Sequence, residues 1–312
     1  MEADELIAGV AAGDRRAVAR AISLVEDGSP ELEALSAGIY PNTGRAATIG
    51  LTGAPGVGKS TLAGELVRIG RDRELRMAVL AVDPTSPFTG GALLGDRIRM
   101  QEHATDPGVF IRSMATRGHL GGMALAAPEG VRILDAAGYD RILIETVGVG
   151  QSEVEVAGQA DTSVVVLAPG WGDAVQMAKA GILEIADVLV VNKADREGAE
   201  ETVRDLGQML AMGPERDWTP PILRATATER EGTDELWEAI ETHRARVEAS
   251  GALVELRRAR LLREVETLAA ERFRARAAAA LSADAALADD VVSRRIDPYR
   301  AAQALSERAG GP

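Results

Sequence analysis

The most constraining feature of this chain is Gly53-Ala54-Pro55-Gly56-Val57-Gly58-Lys59-Ser60, a G-x-x-x-x-G-K-S run. It lies between an apolar stretch, residues 47–52, and a helix-like stretch that begins at Thr61. Glycines let the backbone turn its N–H groups inward around an anion, and a following helix adds the partial positive charge of its N-terminus. In that context the run reads as a phosphate loop. Lys59 reaches the β- and γ-phosphates of a nucleotide, and the Ser60 hydroxyl ligates Mg2+.

The remainder of the chain has the rhythm such a loop requires. Strand candidates are residues 48–51, 77–82, 109–111, 141–144, 163–167, 188–191 and 222–223, most of them near-continuous Val/Ile/Leu runs. Runs of that kind suit a parallel sheet covered on both faces. Helical stretches intervene around 60–71, 92–104, 122–137, 173–184, 197–211 and 233–249. Alternating β and α predicts a doubly wound, mostly parallel sheet with ligands beyond the carboxyl ends of its strands. Residues 1–45 read as a helical extension broken at Gly28-Ser-Pro30, 46–249 as the nucleotide-binding domain, and 250–312 as a helical arm and tail. Within that tail, 253–281 reads as one long helix and 282–309 as two short ones around Asp297-Pro298. The spacing leaves open whether the long helix packs on another subunit or folds back on its own domain.

Composition narrows the partners. A formal net charge of -13 disfavours nucleic acid and anionic membrane, which both need a basic surface. With no cysteine, disulfides and thiolate metal ligands are absent, and His103, His119 and His243 have no metal-ligand spacing. The acidic start lacks a signal-peptide core and no run approaches a membrane span, so the expected location is the cytoplasm.

Two strand ends carry further chemistry. Val188–Val191 runs into Asn192-Lys193-Ala194-Asp195, and a carboxylate at Asp195 accepts hydrogen bonds from N1–H and the exocyclic amine of guanine. Adenine offers a lone pair at N1 instead, and such a mismatch costs about 1–3 kcal/mol. The competing reading is a surface turn with Asn192 and Asp195 as helix caps. Thr226-Ala227-Thr228, after the last strand, sits where a small loop closes over the base. Arg141–Ile144 ends in Glu145, which can hold Mg2+ or its water shell, and Gly148 can offer its N–H to the γ-phosphate. The usual acid there is Asp; the longer Glu145 suggests contact through water, and a strand-end salt bridge is the alternative. Val149 stands where Ras-like GTPases place a water-orienting Gln, which predicts slow intrinsic hydrolysis. Asp83 and Asp96 are candidates for Mg2+ or attacking-water contacts, in a segment stiffened by Pro84 and Pro87 and hinged at Gly90-Gly91. Arg97 and Arg99 either neutralise transition-state charge or pair with nearby acids, and Trp171 is either a core anchor or part of a second mobile loop.

Taken together, residues 49–61, 81–97, 144–153, Asn192–Asp195 and 296–302 resemble the MeaB/ArgK-type GTPases of the SIMIBI class. That resemblance implies a homodimer built partly through C-terminal helices. It also implies a GTP-gated chaperone that assists an adenosylcobalamin-dependent acyl-CoA mutase, such as methylmalonyl-CoA mutase, in cofactor loading and protection. By the same resemblance Lys59, Asp83, Asp96 and Glu145 serve catalysis, the last three with Ser60 serve Mg2+, and the loop around Asp173–Lys179 signals to the mutase. Thr226 departs from the family's usual Ser. The rival readings are a transport-linked ATPase or kinase, which Asp195 disfavours, and a nickel-inserting GTPase chaperone, which the lack of cysteine and of a histidine cluster disfavours.

Overall fold

The structure, a computed structural model, describes residues 2–83, 103, 105–115, 123–146, 159–170, 184–214 and 217–309. Seven strands form one sheet: β1 (Ala47–Thr52), β2 (Met77–Asp83), β3 (Val109–Ala115), β4 (Arg141–Thr146), β5 (Thr162–Leu167), β6 (Val188–Asn192) and β7 (Ile222–Ala225). Their order is β3-β2-β4-β1-β5-β6-β7, and every pairing is parallel. Each of the seven runs expected from the sequence is a strand. β4, β5 and β6 are buried at every position, which is why they carry no polar alternation.

Helices cover both faces. Before the sheet come α1 (Ala3–Ala11), α2 (Arg15–Glu26) and α3 (Leu32–Ile39). Between and after the strands come α4 (Lys59–Asp72), α5 (Met123–Ala136), α6 (Ala199–Met212) and α7 (Thr233–Ala249). One core cluster joins Val18, Ile22 and Leu35 of the leading helices with Leu80, Ile142 and Ile144 of the sheet. A second, on the opposite face, joins Leu62 and Leu66 of α4 and Trp237 of α7 with Ile49, Leu51 and Leu143. The third helix, α3, is not legible in the sequence, because only Leu35 and Ile39 of its eight residues are buried. Asp135 of α5 accepts backbone N–H groups of Gly44, Arg45 and Ala46 and so fixes where the chain turns into β1.

The chain divides into two compact units, residues 1–257 and 258–312. The helix α8 (Ala252–Ala283) begins in the first, where Arg257 donates to both oxygens of Asp161 and to the carbonyls of Gly44 and Ala46. That carboxylate holds the guanidinium pKa above its ordinary value. The second unit contains the rest of α8 with α9 (Ala285–Val292) and α10 (Pro298–Ala309), the one long and two short helices read from the sequence. No helix among the described residues is long and apolar enough to cross a membrane.

Candidate nucleotide and metal site

The carboxyl ends of β1, β4, β6 and β7 meet around residues 53–61. β1 ends at Thr52 and α4 starts at Lys59, so the intervening residues form a tight loop. Gly53 has φ +149° and a Cβ there would lie 2.1 Å from the Val166 carbonyl oxygen; Gly58 has φ +100° and its Cβ would lie 2.3 Å from Asn192 Nδ2. Only glycine fits either position. The N-cap of α4 is Gly58, which has no side chain to cap the helix, and the positive end of the helix lies at the loop. The Lys59 ammonium, 6% exposed, closes the loop by donating to the carbonyls of Gly53 at 2.6 Å and Ala54 at 3.1 Å. A nucleotide polyphosphate fits this cradle of backbone donors and one buried cation.

Beneath the loop, the Ser60 hydroxyl donates to Glu145 Oε1 at 2.6 Å, with both side chains buried. Register places Glu145 beside Leu51, so β4 delivers the carboxylate to the root of the loop. A hydroxyl and a carboxylate are the hard oxygen donors that Mg2+ takes, and these two residues fit that ion. On the other side of β1, Asn192 binds two segments at once. Its Nδ2 donates to the Val57 carbonyl at 2.8 Å, and its Oδ1 accepts the Ala227 N–H at 3.2 Å. Lys193 donates to the Gly56 carbonyl, and the Ala194 N–H donates to Ala225 O at 3.0 Å. Phosphate loop, Asn192–Asp195 turn and Thr226–Thr228 loop are therefore tied by named hydrogen bonds. Thr226 and Ala227 are buried while Asp195 and Thr228 are exposed. Thr226 pairs with Glu231 across a short antiparallel bridge that closes the last loop on itself.

The sequence model of the family described as methylmalonyl-CoA mutase-associated GTPase MeaB matches residues 18–282. The chain belongs to the MeaB family. It is 51% identical over 312 residues to a GTPase-named protein of Pyrococcus horikoshii, covering 99% of this chain and 98% of that one. It is 38% identical to the GTPase ArgK of Escherichia coli, covering 78% of this chain and 77% of that one. It is also 38% identical to the mitochondrial methylmalonic aciduria type A homolog of Caenorhabditis elegans, over 73% of this chain and 62% of that one. A crystal structure named a LAO/AO transport system kinase superposes with a TM-score of 0.72 at 29% identity, covering 99% and 98% of the two chains. The fold is thus the P-loop GTPase fold of the SIMIBI type, and a MeaB-family chain binds guanine nucleotide.

Within this MeaB-family site the structure brings together Gly53–Thr61, Glu145, Asn192, Lys193 and Thr226–Ala227, with Asp195 and Thr228 at the outer ends of their segments. Asp83 ends β2, and the preceding Val82 is in register with Thr146 of β4, so the Asp83 backbone lies on the same edge of the sheet. Its side chain lies outside the described part, as do Asp96, Arg97, Arg99, His119, Gly148, Val149, Trp171 and the 173–179 loop. His243 is buried and bonded to Thr162, at the sheet edge opposite the site. Two side chains under the loop went unread in the sequence: Thr52 and Thr146, whose Oγ1 atoms are 3.3 Å apart. Their signal was a threonine closing each of two adjacent apolar strands.

Proposed function

We propose that the protein is a Mg2+-dependent GTPase that acts as the chaperone of an adenosylcobalamin-dependent acyl-CoA mutase. The observation that carries the catalytic part is the buried Ser60–Glu145 pair, at the root of the phosphate loop that the Lys59 ammonium closes. The mechanism is in-line attack of water on the γ-phosphate with charge stabilised by fixed groups. Lys59 and the α4 N-terminus neutralise the phosphate oxygens, Gly148 donates its N–H to the γ-phosphate, and Asp83 or Asp96 orients the water. Ser60 and Glu145, with Asp83 and Asp96, would hold Mg2+, which would supply charge neutralisation for the phosphate oxygens. Asp195 selects guanine, and Thr226–Thr228 covers the base.

With Val149 after Gly148, the chain has no glutamine there to orient water, so turnover alone is slow and the partner mutase accelerates it. The nucleotide state then gates cofactor loading and protection of the mutase. The family description and the methylmalonic aciduria homolog support methylmalonyl-CoA mutase or a relative as client. Exposed Leu261, Leu262 and Val265 on α8 support a homodimer through that helix. The test is GTP hydrolysis by the purified protein with and without a panel of acyl-CoA mutases. Stimulation by one mutase, lost in Lys59→Ala, supports the reading; equal slow turnover with every mutase refutes the chaperone part. ATP competing as well as GTP would favour the transport-linked kinase named in the similar crystal structure.

A further inference from the structure

Glu145 and Thr146 are consecutive residues at the end of β4, and a strand points consecutive side chains to opposite faces. Leu143 packs in the cluster beneath α4, and Ile142 and Ile144 pack in the cluster beneath the leading helices. Glu145 accordingly reaches Ser60 on the α4 face, while Thr146 turns to the other. There its Oγ1 lies 3.3 Å from the Leu51 carbonyl oxygen and 3.3 Å from Thr52 Oγ1. Thr52 and Thr146 are both 0% exposed. Thr146 has one proton for these two neighbours, so when it donates to Leu51 O, Thr52 must donate to Thr146. Among the described residues both hydroxyls are then satisfied through each other and one carbonyl, and neither is exposed to bulk water. Thr52 immediately precedes Gly53, the first residue of the phosphate loop, and Leu51 is the register partner of Glu145. The end of β4 is thus held on both faces of the sheet, by a carboxylate to the first turn of α4 on one and by two hydroxyls to the end of β1 on the other.

We propose that Thr146 is a positioning residue of the metal site. With Thr52 it sets the end of β4 against the root of the phosphate loop, and so sets where the Glu145 carboxylate stands relative to Ser60. This rests on the Mg2+ site proposed above. Its chemical content is that removing a hydroxyl on the far face weakens cation binding on the near face, with no change to any group that touches the cation.

The experiment titrates a fluorescent GDP analogue against the full-length protein in EDTA and in saturating Mg2+, and records thermal melting of each variant. Thr146→Val preserves shape and removes the hydroxyl; Thr146→Ser keeps the hydroxyl; Thr52→Val/Thr146→Val removes both. The Mg2+-induced gain in affinity should fall about tenfold in Thr146→Val, the scale of one buried hydrogen bond. Affinity in EDTA should change less than about twofold, and Thr146→Ser should match wild type. The double variant should regain melting temperature, because no hydroxyl is left stranded, yet keep the weakened Mg2+ response. Recovery of both together, or equal losses with and without Mg2+, would reduce the pair to plain packing and overturn the inference. A normal Mg2+ response in Thr146→Val would also overturn it. Should Thr146→Val fail to fold, Thr52→Val is held to the same criteria. If wild type binds GDP with no gain from Mg2+, the metal-site reading itself falls and takes the inference with it; if wild type responds and Thr146→Val responds equally, the inference falls alone.

Discussion

Asn192→Ala is the sharpest perturbation of the way this site is assembled. The side chain is 2% exposed and joins the Val57 carbonyl to the Ala227 N–H through two hydrogen bonds, at 2.8 and 3.2 Å. Truncation strands one acceptor in the phosphate loop and one donor in the Thr226–Thr228 loop. Val57 is 1% exposed and Ala227 4%, so neither group regains solvent unless its loop shifts. A stranded buried group costs about 1–3 kcal/mol, which for two gives roughly 2–6 kcal/mol. Water entering the hole left by the amide brings the cost toward the lower end, about 2–3 kcal/mol. Part of this appears as lost stability and part as lost nucleotide affinity. If about 2 kcal/mol falls on binding, the GDP dissociation constant rises roughly thirtyfold. Urea denaturation of the nucleotide-free protein and calorimetric GDP titration separate the two shares. A summed loss under about 0.5 kcal/mol would refute the argument, because it would mean that the loops hold their positions without the bridge.

Asp195→Asn should move preference from guanine toward xanthine nucleotides, read by competition of XTP against GTP; unaltered base preference would refute the assignment of that carboxylate. Arg257→Leu leaves the buried Asp161 carboxylate without its two guanidinium bonds, and should cost about 3–5 kcal/mol in urea denaturation. His243 has a pKa held below its ordinary value by burial, partly offset by Asp187, whose Oδ1 lies 3.3 Å from its Nε2. Between that depressed value and about 6.5 the unfolded chain binds more protons than the native one, so stability should fall as pH drops through this window. His243→Gln should flatten that part of the stability–pH curve, and an unchanged slope would refute it.

The sheet was legible because its central strands β4, β5 and β6 are buried on both faces, and short Val/Ile/Leu runs such as Val188-Leu-Val-Val191, recurring between helical stretches, carry that burial in the sequence. The phosphate loop was legible because Gly53 and Gly58 are demanded by backbone geometry that no other residue meets. What the sequence concealed is polar and long-range. Asn192 reads as part of a base-recognition motif, yet its contacts in the structure are to two backbone segments, Val57 and Ala227. Asp135 reads as an unremarkable helix residue and turns out to collect three N–H groups ahead of β1. Thr52 and Thr146 look like ordinary strand threonines until register sets them side by side. Local pattern encodes which residues are buried; it does not encode which of the buried polar atoms find each other.

The placement of β1 in the middle of the sheet has a consequence for how the protein is made. Its neighbours in space are β4 and β5, and Thr146 bonds to Leu51 across 95 residues of chain. Ser60 meets Glu145 across 85 residues, and Asn192 meets Val57 across 135. On a ribosome the phosphate loop emerges early and stays incomplete until β6 follows it, at synthesis rates of about 5–20 residues per second. Guanine nucleotide therefore recognises a finished sheet and gains little from any fragment. Ligand that binds only the completed fold stabilises it by mass action, so GDP in the cell acts on the newly made chain as a late and global brace.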